Sequence, residues 1–159
     1  MENQVSHARA IRVPQSSLML HMVTILPNGL KIPLRVLVDT GCEMCLIRSG
    51  LVSPEFFAPA RKSLSLVTAN GSPLVGGQKE CILKLVASGF PVGGGSFRFW
   101  ELPTICMEAN INVDLILSFG WFRERNIDIC PSQYGIRLNT QPPYLIPKSP
   151  CMVPCQNVL

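Results

Sequence analysis

The sequence predicts an all-β domain, and three observations carry that prediction. The 159-residue chain is 47% hydrophobic and only 15% charged, so it has enough apolar side chains to bury a core and is not predicted to be disordered. It contains 14 prolines and 12 glycines, which favour turns and short elements over long helices. The pairs Asn28-Gly29 and Asn70-Gly71 each separate two strand-like runs, as the tight turns of β-hairpins do.

The first predicted hairpin joins strands over 18–26 and 31–38. Residues 31–36 alternate polar and apolar side chains, whereas Val36-Leu37-Val38 is a continuous apolar run, so the end of this strand is expected to be buried on both faces. A second hairpin is predicted over 63–69 and 74–87, where Gly76-Gly77 weakens the returning strand and its tip is expected to be mobile. The remaining predicted elements are strands over 45–48, 97–105, 113–117, 127–129 and 135–138, a helix starting at Ser53-Pro54 and a short helix over 121–126.

The predicted organisation is one domain between two tails. Residues 1–16 are polar, and residues 140–159 hold five prolines, a density that we expect to exclude both a helix and a sheet ladder. Residues 17–139 form the predicted domain.

Charge and hydropathy exclude several classes of function. The net charge of +4 is spread along the chain without a large basic cluster, so no nucleic-acid partner is expected. No apolar run is long enough for a membrane span, and no hydrophobic region of a secretory signal follows Met1. We therefore expect an intracellular, cytoplasmic protein whose seven cysteines are thiols.

Asp39 is the first candidate for a catalytic residue. It directly follows the apolar run 36–38 and precedes Thr40-Gly41, a place where a buried carboxylate is costly without a purpose or a partner. From the residues alone, capping of the turn by Asp39 explains its position as well as a functional role does.

The arrangement around Asp39 resembles the retropepsin-like aspartic proteases of retroviruses and long-terminal-repeat retrotransposons. The segments that carry this resemblance follow one another in the order typical of the family and span nearly all of residues 17–139. They are Val38-Asp39-Thr40-Gly41, the strand Cys45-Leu46-Ile47, the glycine-containing hairpin 68–77, Asp114-Leu115-Ile116-Leu117, the helix at Trp121-Phe122-Arg123 and the strand Ile127-Asp128-Ile129.

The resemblance implies a fold and roles for individual residues. The fold is the single-lobe acid-protease fold, all-β and closed like a barrel, with one short helix near the C-terminal end. Asp39 would be the catalytic aspartate, Thr40 would brace the loop by a hydrogen bond, and Gly41 would let the backbone pass close to the substrate. Glu43 would help to hold the substrate backbone, and the flap residues would close over a bound peptide; these are Ala69, Asn70 and Gly71.

The resemblance also implies the partners. The chain has a single Asp-Thr-Gly and is too short for two lobes, so the second aspartate must come from a second copy in a homodimer. The implied function is that of an aspartic endopeptidase that hydrolyses peptide bonds, in retroelement polyprotein processing, without a metal or organic cofactor.

Three alternatives remain open at this point. Ser118 stands where the family has glycine, and this change is expected to strain the loop; a catalytically silent module for dimerisation or peptide binding is the resulting alternative. The pairs Cys42/Cys45 and Cys151/Cys155 have spacings seen in zinc sites. A cysteine-protease reaction at Cys42 or Cys45 is the third alternative, although no histidine is placed convincingly as its base.

Overall fold

The computed structural model describes residues 5–7, 18–68, 71–130 and 135–149. These residues form a mostly β structure with one 3-10 turn, Pro54–Phe56, and one short α-helix, α1, Phe119–Glu124. The strands are β1 Val5–His7, β2 Met19–Ile25, β3 Lys31–Asp39, β4 Leu46–Arg48, β5 Ala58–Pro59, β6 Ser65–Val67, β7 Pro73–Leu74, β8 Gly76–Pro91, β9 Arg98–Ala109, β10 Leu115–Ser118, β11 Ile127–Cys130, β12 Gly135–Leu138 and β13 Tyr144–Pro147.

The main sheet contains ten strands in the order β11-β12-β13-β8-β2-β3-β10-β4-β9, with β5 paired to β8. β8 also pairs with β9, through the long hairpin that these two strands form. A separate three-stranded sheet has the order β1-β6-β7. The closed, barrel-like form expected from the resemblance stays a prediction.

The first predicted hairpin is confirmed. β2 and β3 pair in antiparallel orientation from Met19↔Leu37 to Ile25↔Lys31, and Gly29 at the turn has a φ of 88°, which glycine adopts without the penalty of a side chain. The buried end of β3 is also confirmed, because Val36 and Leu37 belong to two different apolar clusters on opposite faces.

β10 is the most buried strand of the sheet. Leu115, Ile116 and Leu117 have no exposed surface, and they alternate between the same two apolar clusters. A strand that is buried on both faces has a continuous apolar sequence, as the sequence shows here. β10 therefore lies at the centre of the domain, between β3 and β4.

The tail predicted over 140–159 contains a strand. β13 pairs with β12 from Gly135↔Pro147 to Leu138↔Tyr144 and with β8 at two positions, so the expectation that prolines exclude a ladder there is wrong. Pro147 is the last residue of the strand and lies beyond the pairing with β8, where a missing N–H is tolerated. β1 likewise lies within the predicted N-terminal tail. The boundary at residue 139 stays a prediction.

The described part of the chain has no helix with the length and apolar character of a membrane span. The predicted helix over 121–126 begins earlier, at Phe119, and ends at Glu124. The helix expected after Ser53 is only the 3-10 turn Pro54–Phe56. The cytoplasmic location remains a prediction.

Candidate active site

Asp39 is the last residue of β3 and begins a tight turn. The Gly41 N–H donates to Oδ1 of Asp39 at 3.0 Å, and the Cys42 N–H donates to the Asp39 carbonyl at 3.0 Å. Among the described residues, Oδ2 of Asp39 accepts no hydrogen bond, and the residue is half-buried. The turn thus orients the carboxyl group and leaves one oxygen available.

The residue opposite Asp39 is Ser118. β10 runs parallel to β3 with the register Ser118↔Asp39, and it runs antiparallel to β4 with Ile116↔Leu46. Since β10 pairs with both β3 and β4, the loop 40–45 that connects them crosses the end of β10. Ser118 lies at this crossing, and a cysteine of the loop contacts it: the Cys45 Sγ atom is 3.7 Å from Ser118 Oγ.

The expected strain at Ser118 is absent. Its φ of −83° and ψ of 165° are those of extended backbone, which any residue adopts. Ser118 is the N-cap of α1, where its hydroxyl accepts a hydrogen bond from the Trp121 N–H at 3.4 Å. The side chain thus satisfies one of the free donors at the start of the helix, and glycine is not required at this position.

The predicted neighbours of Asp39 lie on the same turn. Thr40 and Glu43 are exposed, and Gly41 is half-buried. The hydrogen bond with which Thr40 was predicted to brace the loop is not made within the described part of this single chain. The role of Glu43 in holding a substrate stays a prediction.

The predicted flap is a short hairpin. β6 and β7 pair at Leu66↔Leu74 and Val67↔Pro73, and Gly71 in the turn has a φ of 90°. Ala69 and Asn70 lie outside the described residues. Leu66 packs in the apolar cluster that also contains Leu37 and Cys42, the residues two before and three after Asp39. The hairpin therefore shares an apolar cluster with residues on both sides of Asp39 in the sequence.

Gly76 and Gly77 fix the base of this hairpin. Both have positive φ, 138° and 85°, and a Cβ atom at Gly76 would lie 2.4 Å from the Glu108 carbonyl oxygen. A Cβ atom at Gly77 would lie 2.3 Å from the Leu64 carbonyl oxygen. The interpretation of these glycines as a weakness of the strand missed this close backbone approach, for which glycine inside a strand pattern is a known signal.

Asp114 has a structural position that sequence reasoning missed. Its Oδ2 accepts a hydrogen bond from the Arg35 N–H at 2.8 Å, and its Oδ1 accepts one from Arg48 Nη2 at 2.9 Å. These bonds join the start of β10 to β3 and β4. The available signal was an aspartate adjacent to a buried apolar run, which Asp114 shares with Asp39.

The buried cysteines are poor nucleophiles. Burial raises the pKa of the Cys42 thiol to about 11 and that of Cys81 to about 12, and it also raises the pKa of Cys45. Since the thiolate is the reactive form, Cys42 and Cys45 are not activated for peptide cleavage. The physical chemistry of the site thus favours Asp39 over the cysteine-protease alternative.

The alternative zinc site can be compared with the structure only at Cys42 and Cys45. In residues 18–68, 71–130 and 135–149, no three His, Cys, Asp or Glu side chains are arranged to hold a metal ion. Cys151 and Cys155, the second half of the alternative zinc site, lie outside the described residues.

Comparisons with known proteins found similarity to solved structures. No family model and no curated protein matches the sequence. Among solved structures, the chain is similar to the retroviral protease-like domain of Ddi1 from Leishmania major, with 14% sequence identity and a TM-score of 0.47. The alignment covers 84% of this chain and 94% of that domain.

Proposed function

We propose that this protein is an aspartic endopeptidase with the retropepsin-like fold, active as a homodimer in which each subunit supplies one Asp39. The observation that carries the proposal is the Asp39-Thr40-Gly41 turn, which ends the buried strand β3 and leaves Oδ2 of Asp39 without a hydrogen bond among the described residues. Thr40 beside it is exposed, so its hydroxyl is accessible to a second subunit.

The proposed reaction needs two carboxyl groups in different protonation states. One ionised Asp39 accepts a proton from water as the water oxygen attacks the peptide carbonyl carbon, and the protonated Asp39 of the second subunit donates a hydrogen bond to the carbonyl oxygen. The proton then passes to the leaving nitrogen as the C–N bond breaks. A two-fold axis near Asp39 satisfies this requirement with identical chains. Two carboxyl groups about 3 Å apart share one proton, because both cannot be ionised together.

The biological task that we propose is processing of a retroelement polyprotein, with extended peptide segments as substrates and no metal or organic cofactor. A second candidate function is a silent dimerisation or peptide-binding module. The hydrogen bond from the Gly41 N–H to Asp39 favours it, because turn capping alone accounts for that contact.

Peptide cleavage by matched variants tests the proposal. A diverse peptide library is incubated with the wild type, Asp39→Asn and Asp128→Asn at acidic to neutral pH, and products are read by mass spectrometry on samples whose dimeric state is verified by ultracentrifugation. Asp128 is an exposed aspartate paired with Arg137 at 2.9 Å, so its variant controls for the loss of one carboxylate.

We expect cleavage by the wild type and Asp128→Asn, and a loss on the order of a thousandfold or more in Asp39→Asn, the scale of acid–base catalysis. A verified dimer that cleaves nothing, yet binds peptides equally well with and without the Asp39 carboxylate, would instead establish the silent module.

A further inference from the structure

The smaller sheet contains a strand from far away in the chain. β1, Val5–His7, pairs in parallel orientation with β6 in the register Val5↔Ser65, Ser6↔Leu66 and His7↔Val67. β6 thereby becomes the central strand, with β1 on one side and β7 on the other. The predicted flap is therefore a three-stranded sheet whose third strand is the chain's own N-terminal segment.

Such pairing uses backbone groups alone. A free strand edge presents a row of N–H and C=O groups that any extended peptide can pair with, and addition of a strand is a common mode of peptide recognition. The edge of β6 that faces β1 is one such binding edge. In this chain Val5–His7 occupies it.

β6 shares an apolar cluster with residues close in sequence to Asp39. Leu66, the central residue of β6, is only 3% exposed and belongs to the apolar cluster that contains Cys42 and Leu37. Leu74 of β7 packs against the same cluster. A strand added to β6 thus lies next to a strand whose central side chain belongs to the same apolar cluster as Leu37 and Cys42.

We propose that Val5–His7 is an internal strand ligand that competes with extended peptides for the edge of β6. The segment holds the hairpin 65–74 in a three-stranded sheet and lowers the access of peptide substrates. This regulatory role rests on the proposed function, whereas the strand exchange itself does not require catalysis. The ligand class is an extended peptide that supplies backbone donors and acceptors in parallel to β6.

Tethering gives the internal strand an advantage over a free peptide. Residues 8–17 connect β1 to the described chain before β2, so its binding is intramolecular, with an effective concentration on the order of millimolar. For an intrinsic Kd of about 0.1 mM, release of the tethered strand is expected to strengthen binding of a free peptide about tenfold.

Proline substitutions in the full chain test the pairing. In a parallel ladder, alternate residues of a strand bond to the same neighbour. The N–H of Ser6 therefore lies on one side of β1, and those of Val5 and His7 lie on the other. Ser6→Pro and the double variant Val5→Pro/His7→Pro remove backbone donors on these opposite sides. One variant removes N–H groups that face β6. The other removes groups that face away from it, which an edge strand tolerates, and it serves as the matched control.

Two measurements detect the release of β1 from β6, and both use an Asp39→Asn background so that no peptide is cleaved. Amide hydrogen exchange of Ser65–Val67 reports on the pairing. Fluorescence anisotropy measures the Kd of a labelled synthetic peptide with the sequence of residues 1–12, and the same peptide with prolines at 5, 6 and 7 is the control probe. Circular dichroism checks that each variant remains folded.

We expect one of the two variants to exchange faster at β6 and to bind the unmodified probe about tenfold more tightly than the parent chain. The other variant should match the parent. Equal behaviour of both variants, or faster exchange without tighter binding, overturns the proposal. With Asp39 restored, the releasing variant should also cleave peptides faster than the parent chain. If neither chain cleaves any peptide, the proposed function is contradicted. The competition between Val5–His7 and free peptides is then still tested by hydrogen exchange and binding.

Discussion

Ser118 and Asp39 are partners in the parallel pairing of β10 with β3. Ser118 also caps α1 through the Trp121 N–H and contacts the Cys45 sulfur at 3.7 Å. One buried residue, 5% exposed, thus connects the candidate catalytic turn, through its backbone, with the following loop and with the only α-helix of the described residues, through its side chain.

Ser118→Ala should lower the free energy of unfolding by about 1 kcal/mol, because the N-cap hydrogen bond is lost. For a chain of this size the melting temperature should fall by about 2–4 °C. Ser53→Ala is the matched control: Ser53 precedes the 3-10 turn without a capping hydrogen bond, so a change within about 0.5 kcal/mol is expected.

Ser118→Gly tests the comparison with the family pattern. The extended backbone at Ser118 needs no glycine, so this substitution should not stabilise the protein in urea unfolding. An increase in stability would show that Ser118 strains the turn after all.

Gly77 and Gly29 form a pair that separates backbone strain from steric overlap. Their φ values are 85° and 88°, but a Cβ atom at Gly77 meets the Leu64 carbonyl oxygen at 2.3 Å, whereas nothing lies within 4 Å of one at Gly29. Gly29→Ala should cost about 1–2 kcal/mol for the left-handed conformation. Gly77→Ala should cost about 1–3 kcal/mol more, from overpacking.

Urea unfolding of the two glycine variants gives this difference directly. If both variants lose the same stability, the hairpin base tolerates a side chain and the close approach to Leu64 does not restrict it.

Asp114 and Asp128 are both paired with arginine, but their surroundings differ. The Asp114 side chain is 11% exposed and that of Asp128 is 49% exposed. Asp114→Asn should cost about 1.5–3 kcal/mol, the range for hydrogen bonds to charged groups, because it weakens the bonds from Arg35 and Arg48. Asp128→Asn should cost less than about 1 kcal/mol, as exposed ion pairs do.

The contribution of the exposed Asp128–Arg137 pair to stability is also expected to depend on pH. The hydrogen bond from Arg137, with a further contribution from Asn139, lowers the pKa of Asp128 below its ordinary value of 3.8. Its small contribution to stability is therefore complete above pH 3.8 and is lost as the pH falls through the lower pKa of the folded protein. A double-mutant cycle with Arg137→Gln should show coupling at neutral pH that disappears in strong acid.

Local patterns predicted much of the fold. Asn28-Gly29 and the alternation over 31–36 determine the first hairpin from neighbouring residues, and β12 was predicted with its observed bounds, Gly135–Leu138. The apolar run of β10 likewise identified a buried strand. In each case the information lies within a few consecutive residues, as turn chemistry and burial on both faces require.

Long-range relationships were not predicted. The pairing of β1 with β6 and the bonds of Asp114 to Arg35 and Arg48 join residues that are distant in the sequence, and backbone pairing of β1 leaves no side-chain pattern. β13 was missed because its flanking prolines outweighed Leu145 and Ile146. Asp39 was identified through its place after a buried strand, whereas the register that puts Ser118 opposite it appears only when β3 and β10 pair.

The cysteine thiols differ in burial and therefore in expected reactivity. Burial raises the pKa of Cys42 to about 11 and that of Cys81 to about 12, so both are protonated near neutral pH. Cys130 is only half-buried. Alkylation of the folded protein with iodoacetamide, mapped by mass spectrometry, should therefore modify Cys130 well before Cys42 and Cys81, and all three should react alike in denaturant.

The same burial makes the free energy of unfolding depend on pH in the alkaline range. The folded-state pKa of Cys42 lies above the value of 9.0 for an exposed thiol, so its contribution is complete below pH 9 and is lost as the pH rises toward about 11. The free energy of unfolding should fall over this range, and Cys42→Ala should make the decline less steep. Labelling of Cys42 in the folded protein at the rate of Cys130, or an unchanged slope in the variant, would contradict a buried, protonated thiol beside the Asp39 turn.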